Sequence, residues 1–76
     1  MDSIDLAKHA LRRALTKQLG LSRPYVSELL SGKRSPKYAD AIRIETELHI
    51  PANAWVRKDG AAQEMWRIIM EREGRA

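Results

Sequence analysis

The chain has 76 residues, no cysteine, and a formal charge of +4 with a pI near 9.9. One small domain is the upper bound, disulfides and thiolate metal sites are excluded, and no apolar run approaches the roughly 18 residues of a membrane span. The excess positive charge suits a polyanionic partner, but its placement along the chain carries more information than its size.

Helical periodicity runs through the sequence and no segment alternates as a strand would, so the expected fold class is all-α, a compact bundle of four to five helices. Ser3 can cap a first short helix carrying Ile4, Leu6, Ala7 and Ala10, with Asp5 well placed in its first turn. A second helix is predicted from about Leu11 to Leu19, ended by Gly20 where positive φ is needed. No Gly or Pro separates Ala10 from Arg12, which leaves open whether these two helices join. Ser22 suits the N-cap of a third helix, Arg23 to Leu30, in which Pro24 sits in the first turn and costs no backbone hydrogen bond. Gly32 ends that helix, and Gly32-Lys33-Arg34-Ser35-Pro36 reads as a basic loop.

A fourth helix is predicted from about Lys37 to His49, with an apolar stripe of Tyr38, Ala41, Ile42, Ile44 and Leu48. Pro51 blocks its continuation and begins a short turn that places Trp55. Arg57 to Gly60 reads as a turn or linker, and a last helix is expected from Ala61 to Arg72. Its Ala62, Met65, Trp66, Ile69 and Met70 share a face that has to be buried somewhere. The expected organisation is thus a helix-turn-helix domain over residues 1–56 and a C-terminal helical extension over residues 57–76.

Two helices crossing around a tight turn must bury a few fixed positions where they meet. Leu15 and Leu19 would face inward from the first, Leu21 would plug the turn, and Val26 and Leu29 would face back from the second. With ~45% apolar and ~7% glycine usage, five apolar residues and one glycine at set places arise by chance in about one register per thousand. Charge concentrates over the same stretch: from Arg12 to Lys37 seven cations face one anion, Glu28, a local +6 that leaves −2 for the other fifty residues. Contact with phosphates needs such focusing, because each neutralised phosphate releases condensed counterions.

The run from Leu15 to Pro36, followed by Ala41-Ile42-Arg43-Ile44-Glu45 and Ile50-Pro51-Ala52-Asn53-Ala54-Trp55, resembles the XRE-type family of phage repressor and Cro-like helix-turn-helix regulators. The resemblance covers about Ile4 to Trp55. Thr16 stands where alanine is common in the family, and Pro24 where a polar base-reading side chain is frequent. The resemblance implies a lambda-repressor-like DNA-binding domain, with double-stranded DNA as partner and no cofactor. It also implies a transcriptional repressor of phage, prophage or bacterial origin, whose second motif helix lies in the major groove. On that basis Arg23, Tyr25 and Glu28 are the candidates for base readout, Arg23 first, since a guanidinium can bond guanine O6 and N7 together. Glu28 could instead orient Arg23 or hold a surface ion pair, and Tyr25 could simply cover the end of the core. Arg12, Ser22, Ser31, Lys33, Arg34 and Lys37 are the expected phosphate contacts, which set register without reading sequence.

Other chemistries find no support in the residues. Gly32-Lys33 would need glycine at position 27 and Ser or Thr at 34 to make a phosphate loop, where Ser27 and Arg34 stand. His9 and His49 have no metal-ligand spacing, and no serine lies in Gly-x-Ser-x-Gly. Neither an enzyme nor a metal site is expected. The opening Met1 to Asp5 lacks the basic-then-apolar order of a signal peptide, so a cytoplasmic setting is expected, without membrane attachment. Met65, Trp66, Ile69 and Met70 are the candidates for a homodimer contact suited to palindromic sites, though the same stripe could fold back on its own domain. The competing functional reading is an antitoxin or other protein-binding module that grips its partner with the last helix.

Overall fold

The computed structural model describes residues 3–74, and among them every regular element is helical. The order is α1 (Ser3–Arg13), a π-helical turn (Ala14–Gln18), α2 (Arg23–Ser31), α3 (Tyr38–Leu48), a 3-10 turn (Ala52–Val56) and α4 (Gly60–Gly74).

The two helices expected before Gly20 are one. α1 runs directly into the π turn, so the chain stays helical from Ser3 to Gln18. Ser3 already lies inside α1, and the cap position before it falls outside the described residues. The Thr16 hydroxyl donates back to the Arg12 carbonyl at 2.8 Å, a bond within one helical turn that tends to distort a helix. The ladder widens there: the Leu19 N–H reaches the Ala14 carbonyl five residues back, at 3.2 Å. Gly20 then leaves the helix at φ +72, and the Leu21 N–H closes onto the Leu15 carbonyl at 3.0 Å.

α2 carries both caps predicted for it. Ser22 Oγ accepts from the Tyr25 N–H, and Gly32 adopts φ +83 past the helix end. Gly32 and Lys33 donate to the carbonyls of Leu29 and Glu28, a Schellman closure. α3 ends on His49 in the left-handed region at φ 62, and its Arg43 guanidinium donates to the Leu19 carbonyl at 3.0 Å, tying α3 to the turn between the first two helices.

A single apolar core holds Ala7, Leu11, Leu15, Val26, Leu29, Ile44, Ile50 and Ala54 with Ala61, Ala62 and Met65 of α4. The most extensive helix contact is α1 with α4, reinforced at the start of α4 by Lys8 Nζ and Asp59 Oδ1 at 2.9 Å. The radius of gyration, 11.6 Å, matches the ~11.4 Å of a packed chain of this length, as expected when the last helix lies on the body. Gly60 permits the approach: a Cβ there would strike the Ala54 carbonyl oxygen of the 3-10 turn. Trp55 packs partly against the core, its indole N–H buried and without a hydrogen-bond partner among the described residues.

The stripe expected on α3 is only half buried. Ala41, Ile44 and Leu48 face the core, while Tyr38 is 83% and Ile42 45% exposed. At about 100° per residue these two lie some 90–130° around the helix from the buried row, beyond the arc one packing face covers.

Candidate nucleic-acid interface

α2 buries Val26 and Leu29 and turns Arg23, Pro24, Ser27 and Ser31 to the solvent, with Glu28 at the margin. Pro24 in the first turn and the Ser22 cap set the start of the helix, so Arg23 projects from its exposed N-terminal end. No carboxylate pairs with Arg23 among the described residues. Arg12, on α1, donates from Nη1 to Ser27 Oγ at 3.2 Å and so lies across the exposed side of α2.

Tyr25 has internal work. Its hydroxyl donates to Asp40 Oδ2 at 2.9 Å and accepts from the Lys37 N–H at 3.1 Å, joining α2 to the start of α3. Burial, with the neighbouring Asp40 carboxylate adding to it, pushes the phenol above its ordinary range. The side chain expected at a base edge thus links α2 to the start of α3 through its hydroxyl. Glu28, the second candidate reader, pairs with Arg34 at 3.1 Å, and that guanidinium sits over the Tyr25 ring, 5.8 Å from its centre. Of the three candidates for base contact, Arg23 alone has no side-chain partner among the described residues.

The expected phosphate ligands divide in the same way. Lys33 and Lys37 are exposed and take part in no ion pair among the described residues. Arg34 already faces Glu28, and the Ser31 hydroxyl donates to the Glu28 carbonyl at 3.2 Å. Ser22 Oγ accepts from the Tyr25 N–H and donates to no partner among the described residues.

Asp40 and Arg43, which shape this face from α3, carry no signal in the sequence: both are polar residues on an amphipathic helix whose partners lie 15 and 24 positions away. Among the described residues no three His, Cys, Asp or Glu side chains converge on a possible metal position, and no helix is long and apolar enough to cross a membrane.

The four residues assigned to dimer contact separate. Met65 is 8% exposed and belongs to the core of its own chain, because α4 lies on α1. Trp66 and Ile69 are partly buried beside it, and Met70 is 48% exposed.

A family model described as helix-turn-helix matches residues 11–55, from the last turn of α1 to the 3-10 turn. No curated protein and no solved structure matches the chain.

Proposed function

The chain belongs to the XRE-type, Cro-like helix-turn-helix family of DNA-binding transcriptional regulators, and from that premise we propose that it is a sequence-specific repressor that seats α2 in the major groove. The observation that carries the reading is Arg23, exposed at the N-terminal end of α2 and, like the exposed Lys33 and Lys37, in no ion pair among the described residues. Arg23 is the base reader in this proposal, with guanine its natural target. Tyr25 and Glu28 act one step back, holding the loop and Arg34. Lys33, Lys37, Arg12 and the Ser22 hydroxyl meet phosphates, and Arg34 joins them by exchanging Glu28 for the backbone.

A dimer extends the proposal, since two half-sites multiply the affinity of so small a module. Its contact would use the open flank of α4 around Trp66, Ile69 and Met70. Light scattering at micromolar concentration tests this: a dimer that Met70→Lys converts to a monomer supports it. A wild-type monomer refutes it, and a stoichiometric complex with a second protein on that flank would favour the antitoxin reading. Selection of binding sites from random duplexes at stated salt tests DNA reading itself. A motif whose preferred base at one position is lost in Arg23→Ala is expected, with half-site centres about 34–36 Å apart for a dimer. Failure to enrich any sequence would refute the specific reading.

A further inference from the structure

α2 carries Arg23 at one end and borders a cavity at the other. Leu29, Leu30, Ser31 and Gly32, at its C-terminal end, line a hollow of about 140 Å³ together with Trp55 and the start of α4. A cavity of ~150 Å³ admits a benzene ring. Leu29, Leu30, Trp55, Ala61 and Ala62 give this one an apolar wall, as small-ligand sites have. Its lining from Arg57 to Ala62 lies outside the stretch 11–55 matched by the family model.

Three hydrogen-bond donors of the lining residues have no acceptor among the described residues. In the first turn of α4 the N–H groups of Gly60 and Gln63 reach the carbonyls of Arg57 and Asp59 at 3.0 and 2.9 Å. Those of Ala61 and Ala62 reach none, although the two residues are only 5% and 3% exposed. The third donor is the indole N–H of Trp55, which lines the same cavity and is the one buried side-chain polar atom without a partner among the described residues. Native folds rarely keep a buried donor unpaired unless a bound molecule satisfies it. The surrounding charge has the matching sign. Lys8 is balanced at 2.9 Å by Asp59, the only acidic residue of the lining, while Arg57 meets Glu64 at 3.7 Å and Lys58 is in no ion pair among the described residues. The N-terminal end of α4 adds its own partial positive charge. Donors and positive charge beside an apolar wall select a molecule with an anionic head and a flat apolar body.

We propose that this cavity binds a small aromatic carboxylate. The Ala61 and Ala62 N–H groups and the Trp55 indole hold the carboxylate, Leu29 and Leu30 cover the ring, and Lys58 meets the charge from the rim. The ligand braces the C-terminal end of α2 against α4 and leaves the Arg23 end clear, so the proposal stands independently of the DNA-binding reading.

The probe is benzoate, titrated into the full chain at constant ionic strength and followed by nitrogen–proton correlation NMR, with benzyl alcohol and inorganic phosphate as comparisons. Millimolar benzoate should shift the Trp55 indole and the Ala61 and Ala62 amide signals saturably, and the other two probes should not. Lys58→Ala, a change at an exposed side chain, should weaken benzoate binding about two- to fivefold. Trp55→Phe should weaken it by about tenfold or more. Dispersed spectra verify that each variant folds. Absence of a saturable shift with benzoate would overturn the proposal. Equal binding of phosphate would reduce the site to a helix end that holds any anion, and equal binding of benzyl alcohol to an apolar hollow; either result overturns it. So does an unchanged benzoate affinity in either folded variant. Each of these outcomes leaves the DNA reading as it stands.

Discussion

Replacing Tyr25 by phenylalanine isolates the contact that sets the loop beside the recognition helix. The ring stays, so its packing against the core is conserved, and only the hydroxyl is lost. Two hydrogen bonds go with it: the donation to Asp40 and the acceptance from the Lys37 N–H. A bond to a charged group contributes about 1.5–3 kcal/mol and a neutral one about 0.5–1.5. Asp40 is half-buried and Lys37 exposed, so water recovers part of both. The expected destabilisation is therefore near the lower end of the sum, about 2 kcal/mol. In a domain of this size that lowers Tm by about 8–16 °C. Urea melts followed by circular dichroism should show a lower midpoint with an unchanged slope. Asp40→Asn, which still accepts the bond but without charge, should cost about half as much. A Tyr25→Phe loss below about 0.5 kcal/mol would show that the hydroxyl is not anchoring the loop, and its commitment away from DNA would have to be withdrawn.

The same phenol makes stability depend on alkaline pH. Because folding raises its pKa, the unfolded chain releases that proton first, so the contribution is complete at neutral pH and falls away above about pH 10. Urea melts up to about pH 11 should show this limb in the wild type and a smaller one in Tyr25→Phe. Gly60→Ala must move the 3-10 turn away from α4, since its Cβ meets backbone, at a cost of about 1–3 kcal/mol. Gly20→Ala meets no atom within 4 Å and should cost only the left-handed strain, about 1–2 kcal/mol; a neutral Gly60→Ala in thermal melts would contradict the close approach. Lys33→Ala should flatten the salt dependence of DNA binding by about 0.9, and Arg34→Ala by less, because Glu28 already balances Arg34 in the free protein. Equal changes in slope would mean that the ion pair counts for nothing at the interface.

What could be read along the chain was whatever a few neighbouring residues decide between themselves. Ser22, Pro24 and Gly32 bound α2 through caps and permitted φ values, Gly20 turns the chain, and the three-to-four spacing of Leu15, Leu19, Val26 and Leu29 places them in the core. These are backbone and burial preferences acting within a turn or two, which is why the helix-turn-helix was legible. The folding of α4 onto α1, the outward turn of Tyr38 and Ile42, and the choice of Asp40 for Tyr25 and Glu28 for Arg34 were decided elsewhere. Each depends on which surfaces meet across many residues, and an amphipathic pattern states that a face must be covered without naming its cover. So the sequence alone determined an all-helical chain with a basic helix-turn-helix, while the tertiary structure decided which charges are neutralised inside the molecule and which remain open. That division follows from Coulomb interactions being short-ranged in salt water, so that a charge is paired or free according to its neighbours in space.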